Sequence, residues 1–249
     1  VEAETGAVRR GPEALHRVLD AARIAPEVAA LRPDYRALLV AAEGLRPGPG
    51  DELSESMLTA AENSACQDPG AHPHVAAWHE AFSSFGAKPR RQRPSVDALL
   101  RRAPAGLPRV DRLTDIYNAV SVTHVLPVGG EDLDRYEGAA RLVRAEGTEP
   151  FELAPTGGQA VEHPRPGEVV WRDDAGVTCR RWNWRQCTRT RLTTGTTRAL
   201  FVLDALGPMS DDALRAAGEA LTGALLHGSA DARAATRLVR APDAAGATP

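Results

Sequence analysis

The chain has 249 residues, 43% hydrophobic and 25% charged, with a formal net charge of −3. That length supports one large domain or two small ones with a proper core, and the small negative charge excludes a generic polyanion binder, so any nucleic-acid contact must come from local clusters. Three cysteines, Cys66, Cys179 and Cys187, without a CxxC pair argue against a disulfide framework or a zinc site; no apolar run approaches membrane-spanning length and no signal pattern opens the chain, so no membrane partner is expected and the cytoplasm is the default compartment.

In chain order, Val1–Gly11 is polar and expected to fray. Pro12–Arg23 reads as a helix with proline in its first turn. Tyr35–Ala41, with Ala37-Leu38-Leu39-Val40 at its centre, reads as a buried strand, and Leu45–Gly50 as a breaker loop. Asp51–Cys66, Pro73–Phe85 and Ser95–Arg102 read as helices. The stretch Val110–Asp132 begins as a helix, with Val110, Leu113, Ile116, Tyr117 and Val120 as its inward stripe and Asp111 at its positive end. The helix must stop before Pro127. From Ala139 the period changes. Strands are expected near Ala140–Ala145, Pro150–Leu153, Glu168–Arg172, Val177–Trp184 and Arg198–Asp204, with a hairpin turn at Asp173–Gly176. Ser210 caps a last helix that Gly228 ends. Residues 229–249 are expected to be a mostly disordered tail, Ala/Pro/Gly-rich after about Arg240. Partial segregation of helices and strands favours an α+β fold.

The stretch Val110–Asp132 concentrates the most chemistry. Asn118 points off the apolar stripe. Pro127-Val128-Gly129-Gly130 is read as a turn that exposes backbone N–H groups and lets another molecule approach, and it leads into Glu131 and Asp132. The bland alternative for the glycine pair is a plain helix-to-strand connection.

Two arginine-rich runs come next. Arginine almost entirely replaces lysine, Lys88 being the single lysine, which reads as coding bias and discounts arginine number as a signal. Even so, Lys88–Arg112 holds Lys88, Arg90, Arg91, Arg93, Arg101, Arg102, Arg109 and Arg112 against only Asp97 and Asp111. Such a run suits phosphate contacts or, equally, a solvated face. Cys179–Arg198 carries Arg180, Arg181, Arg185, Arg189, Arg191 and Arg198 and no acid. Strand alternation would put Trp182 and Trp184 on one face and Arg181, Asn183 and Arg185 on the other. The tryptophans suit a core; a buried Asn183 amide would need partners, and a substrate is one candidate.

His72, His74 and His79 lie near Glu80, but five residues separate His74 from His79, not the four of HExxH, so no metal site is expected. His124, just before the proline turn, suits a substrate-side role or simply a cation at a helix end. No GxSxG, Walker loop or nucleotide fingerprint occurs, and Ser121 and Cys187 lack a base partner, so neither a cofactor nor a covalent nucleophile is nominated.

The runs YNAVSVTHVLPVGGEDLD (117–134) and GEVVWRDDAGVTCRRWNWRQCTRTRLT (167–193) resemble the B3/B4 domain. That domain is the editing module of the bacterial phenylalanyl-tRNA synthetase beta subunit and also occurs as free-standing proteins. The likeness is close from about His72 to Asp204 and looser before it. It implies a layered β/β/α B3/B4-type domain over 71–228 with a helical N-terminal portion, residues 1–70, packed on it. It implies aminoacylated tRNA as partner, not DNA, and hydrolysis in trans of the ester of a mischarged or non-canonical amino acid. Asn118 matches a family asparagine. The family's editing histidine falls at Gly129, a departure that puts a side-chain base there in doubt.

Within that frame the expected catalytic set is Asn118, Gly129, Gly130, Glu131, Asp132 and Asn183. Glycine N–H groups would stabilise the oxyanion, the asparagines would orient amino acid or water, and Glu131 or Asp132 would hold the ammonium or assist the water. Lys88, His124, Arg180, Arg181, Trp182, Trp184, Arg185 and Gln186 are the expected substrate-binding set. Three rivals stand beside this: a tRNA-binding module without catalysis, an aminoacyl-tRNA-dependent transferase, and a protein-interaction domain.

Overall fold

The computed structural model describes residues 11–153 and 160–241. In chain order the elements are α1 (Pro12–Ala21), β1 (Arg23–Ile24), α2 (Pro26–Leu31), β2 (Arg36–Glu43), α3 (Glu52–Ser64), α4 (Pro73–Ser84), α5 (Ser95–Arg102) and α6 (Arg112–His124). There follow β3 (Val128–Asp132), β4 (Arg141–Arg144), β5 (Phe151–Leu153), β6 (Ala160–Glu162), β7 (Val169–Arg172), β8 (Val177–Arg180), β9 (Arg185–Gln186), β10 (Arg198–Ala205), α7 (Asp211–Leu226) and β11 (Arg233–Arg240). This is an α+β fold. Among the described residues, no helix is long and apolar enough to cross a membrane.

Three layers follow from the alternation of the strands. One sheet runs β11-β2-β10-β3 and a second runs β1-β4-β7-β8-β9. Leu39, Ala41, Leu200 and Val202 of the first sheet pack with Leu142, Val169, Trp171 and Cys179 of the second, joined by Trp78 and Phe82 of α4. The opposite set, Leu38, Val40, Phe201 and Leu203, packs on Leu113, Ile116 and Val120 of α6 and Leu214, Leu221 and Leu225 of α7. A one-residue slip of β10 would exchange the two faces, so burial on both sides pins its register. All eight residues of β10 are buried, and each such Leu or Phe contributes about 1.5–3 kcal/mol relative to exposure.

The helix ends obey local chemistry. Asp51 and Asp111 cap α3 and α6, accepting from the N–H of Ser54 at 3.0 Å and of Thr114 at 2.9 Å. α6 closes through Val125 in the left-handed region, φ 53°, with its N–H on Ser121 O, and Pro127 then forbids another turn. The inward stripe of α6 holds except at its start: Val110 lies before the helix and is 58% exposed.

Three sequence expectations are corrected. Gly129 and Gly130 are not a turn but part of β3, paired with Val202 and Phe201. The expected strand Val177–Trp184 stops at Arg180, because Arg181 and Trp182 take φ of 46° and 68°. Residues 233–240 are not a tail; they form β11 against β2, while the expectation for 242–249, like that for most of Val1–Gly11, lies outside the described residues. The portion 1–70, expected to pack on the 71–228 domain, also contributes β2 to its sheet, between β11 and β10, so residue 70 marks no break in the sheet.

Gly130 is required by close packing. A methyl there would lie 2.7 Å from Leu192 Cδ1 and 3.0 Å from Phe201 Cε1. Gly130→Ala is expected to lower stability by about 1–3 kcal/mol through overpacking, read as a drop in the urea midpoint.

Candidate functional site

A cavity of about 270 Å³ opens between the two sheets, near the lower end of small-ligand sites. Gly129 and Glu131 of β3 and Val202 and Asp204 of β10 line it from one sheet, Trp171 and Cys179 from the other. Asn118 of α6, Ser95 and Leu99 of α5, and the continuous run Trp182–Gln186 complete it. The strand period explains β3: Gly129 and Glu131 face the cavity, while Gly130 faces Leu192 and Phe201. A methyl at Gly129 would meet only Gln186 Nε2, at 3.4 Å. Gln186 crosses to β3 and donates from Nε2 to Gly130 O at 2.6 Å.

The run after β8 is bent, not extended. Trp182 donates its N–H to Val169 O at 2.7 Å, and Asn183 donates its N–H to Arg181 O at 2.7 Å, a three-residue γ-turn about a residue of positive φ. Two successive non-glycine residues in the left-handed region cost about 1–3 kcal/mol each. Trp182, fully buried, holds the bend through edge contacts with Tyr35 and Trp78, at centroid distances of 5.0 and 5.5 Å. The expected alternation of faces is therefore corrected: Trp182, Asn183, Trp184, Arg185 and Gln186 all border the same cavity.

Two carboxyls are buried there, Glu131 at 4% exposure and Asp204 at 2%. Burial pushes Glu131 up to about 8, although the Thr190 hydroxyl donates to it. Burial likewise raises Asp204 to about 7, against hydrogen bonds from Tyr35 Oη at 2.6 Å and Asn183 Nδ2 at 3.2 Å. With its Nδ2 on Asp204, the Asn183 amide keeps Oδ1, which has no partner among the described residues, and neither has Trp171 Nε1. Asn118, 7% exposed, makes no side-chain hydrogen bond among those residues either. The site thus carries an uncommitted amide, an amide with a free acceptor, and two carboxyls that burial makes hold their protons into the neutral range.

These shifts have a thermodynamic sign. Glu131 holds its proton to a higher pH folded than unfolded, so its contribution is full below about 4.5 and is lost as pH rises to about 8. The melting temperature is expected to fall across that window, and Glu131→Gln to flatten the slope in a pH series of thermal melts.

Other expected residues lie elsewhere. Asp132 faces away from the cavity, accepting from the Thr196 hydroxyl at 2.7 Å and the Asp134 N–H at 3.0 Å, so it cannot share the role of Glu131. His124 is half-buried off the cavity, and burial lowers its pKa, which weighs against a helix-end cation. Arg180 is engaged on all three guanidinium nitrogens: Nε and Nη2 meet Glu168 at 2.8 and 2.9 Å, and Nη1 meets Glu162 at 2.8 Å. The guanidinium is taken up by this buried ion pair, with each nitrogen already bonded to a carboxylate. Arg181 stacks 4.0 Å over the Trp184 ring with Nε 3.7 Å from Glu168. The basic run divides for the same reason. Arg93 and Arg101 hold the buried Asp97, Arg109 pairs with Glu55 and Glu62, and Arg112 is buried on Asp51 and the end of α7. Lys88, Arg90 and Arg91 stay exposed on the loop before α5, whose first residue, Ser95, donates its N–H to Asn183 O at 3.2 Å.

Sequence reasoning missed Asp204, Tyr35 and Trp171. The one local signal was a lone acid closing an otherwise apolar strand, Leu200-Phe201-Val202-Leu203-Asp204.

Comparison with known proteins adds the family. No curated protein matches the chain. Among solved structures, an N-terminal fragment of the phenylalanyl-tRNA synthetase beta-subunit from Pyrococcus horikoshii is similar, at 16% identity and a TM-score of 0.42. The match covers 82% of this chain and 48% of that one, so this chain spans about half the length of that fragment. The model of the B3/4 domain matches residues 77–218, more than half of the chain and the stretch that supplies most of the cavity lining, and the protein therefore belongs to the B3/4 domain family.

Proposed function

We infer that the protein acts on aminoacyl-tRNA, as a deacylase that hydrolyses in trans the ester of a mischarged or non-canonical amino acid. Family membership supports a tRNA-related role. The observation that carries the finer reading is the cavity shared by Gly129–Glu131 and Trp182–Gln186, with an uncommitted Asn118 amide at its wall.

An aminoacyl ester is already activated, so it needs a placed water and stabilisation of the oxyanion, not a protein nucleophile. The bare Gly129 lets the ester carbonyl approach β3. Asn118 Nδ2 donates to the carbonyl oxygen as charge develops there. Glu131, as carboxylate, takes a proton from the attacking water; the C–O bond to the ribose breaks, and that proton passes to the departing ribose oxygen. A base of raised pKa suits work near neutrality, and the rate is expected to climb with pH up to about 8. The exposed Lys88, Arg90, Arg91 and Arg185 meet the tRNA backbone, which makes binding salt-sensitive.

The test is a panel of charged tRNAs incubated with catalytic amounts of protein. One or more should lose its amino acid well above the spontaneous rate. If all esters survive while tRNA binds, the non-catalytic tRNA-binding reading replaces this one. Gly129, standing where the resemblance puts a histidine, is the feature that favours that alternative.

A further inference from the structure

Two buried carboxyls dominate the charge of the cavity; its unpartnered donors among the described residues, Trp171 Nε1, Trp182 Nε1 and Ser95 Oγ, are all neutral. Glu131 and Asp204 reach it from neighbouring strands, both nearly fully buried, and neither has an ion-pair partner among the described residues. Asn183 is 7% exposed, and one of its two amide N–H donors is committed to Asp204. Its Oδ1 is an acceptor without a partner among those residues. The ring systems of Trp171, Trp182 and Trp184 form the walls. Among the described residues the one cationic side chain at the lining, Arg185, is exposed, where solvent and salt screen it. Carboxyls, a spare amide oxygen and aromatic faces all attract the same guest, a cation with several N–H donors.

We propose that the interior of this cavity, at Asp204 and Asn183, is a site for a protonated primary amine. In the reaction it takes the α-ammonium of the aminoacyl ester, so that only esters with a free amino group are accepted. That assignment to the substrate rests on the deacylase reading, whereas the amine site stands on the geometry alone. N-acylation removes the charge and two of the three N–H donors and adds bulk. A free amino acid brings a carboxylate toward two buried carboxyls and is disfavoured for that reason.

Binding is measurable without tRNA, because three of the four tryptophans line the cavity. The full chain is titrated with L-alaninol, L-leucinol and L-phenylalaninol, with their N-acetyl derivatives, and with the matching free amino acids, following tryptophan fluorescence. At least one amino alcohol should give a saturable change. Its N-acetyl derivative and its free acid should bind about tenfold or more weakly. Asp204→Asn should lose about the same factor for the amine. The proposal is overturned if none of the amino alcohols binds, or if the N-acetyl form or the free acid binds as tightly as the amine.

The two readings fail separately. Amine-selective binding with every charged tRNA intact removes the deacylase and leaves the amine site. Equal hydrolysis of N-acetylated and free aminoacyl-tRNA removes the assignment of the substrate's α-ammonium to this site and leaves the deacylase.

Discussion

Asn118→Ala is expected to slow single-turnover ester hydrolysis by about 10²–10³-fold, the typical loss when one preorganised oxyanion donor is removed, with little change in melting temperature. The expectation follows from two facts. The Asn118 side chain lines the cavity, and it makes no hydrogen bond among the described residues, so its removal breaks no internal contact of that kind. Asn118→Asp separates a donor role from a packing role. It has nearly the same shape, but an ionised carboxylate accepts and cannot donate. If donation is what matters, the aspartate variant is at least as slow as the alanine one. If it keeps the parent rate, the amide is a spacer and the oxyanion is held by something else.

Arg180→Ala is expected to destabilise the fold by about 3–5 kcal/mol, the range for breaking a buried pair by deleting one partner, measured by urea unfolding. Arg180 is 5% exposed and Glu168 is 4% exposed. The pair is bidentate, and a third bond runs to Glu162. Without the guanidinium, Glu168 keeps, among the described residues, only Arg181 Nε at 3.7 Å as an ion-pair partner. Arg180→Met together with Glu168→Leu should recover much of the loss, since an apolar pair of similar volume leaves no charge stranded. A phosphate-binding arginine would behave differently: its loss would weaken tRNA binding and reduce the salt dependence while leaving the fold intact. Arg185→Ala is the variant in which that pattern is looked for, because Arg185 is exposed at the cavity.

Much of the fold was legible because the helix signals are local. Pro73, Ser95 after Pro94, the Asp111 cap and the stop at Pro127 set boundaries that the structure keeps within about two residues, the scatter expected at helix ends. The strands were legible where β-branched and aromatic residues alternate, as in Val169–Arg172. Failures occurred where a distant partner decides the outcome. Gly129-Gly130 has the composition of a turn, yet β10 on one side and Gln186 on the other make it a strand. The segment Arg233–Arg240 carries three arginines in eight residues, which disguises an edge strand as a solvated tail; β2, its partner, is out of sight in any local window. Trp182 and Asn183 follow a strand, and nothing local predicts left-handed backbone at two non-glycine residues. At the candidate site, Asn118, Gly129, Glu131 and Asn183 could be nominated from their motifs. Asp204 could not, since its meaning depends on Tyr35, 169 residues earlier.

The placement of β2 also constrains how the chain reaches its native state. On the ribosome this strand, rich in Leu, Val and Ala, emerges long before β10, whose residues pair with it along its whole length. Until then both its edges are open and apolar, the configuration most prone to joining a strand of another chain. Closing so long a loop is entropically slow. Recombinant production is therefore expected to depend on chaperones or low temperature far more than the finished fold would suggest.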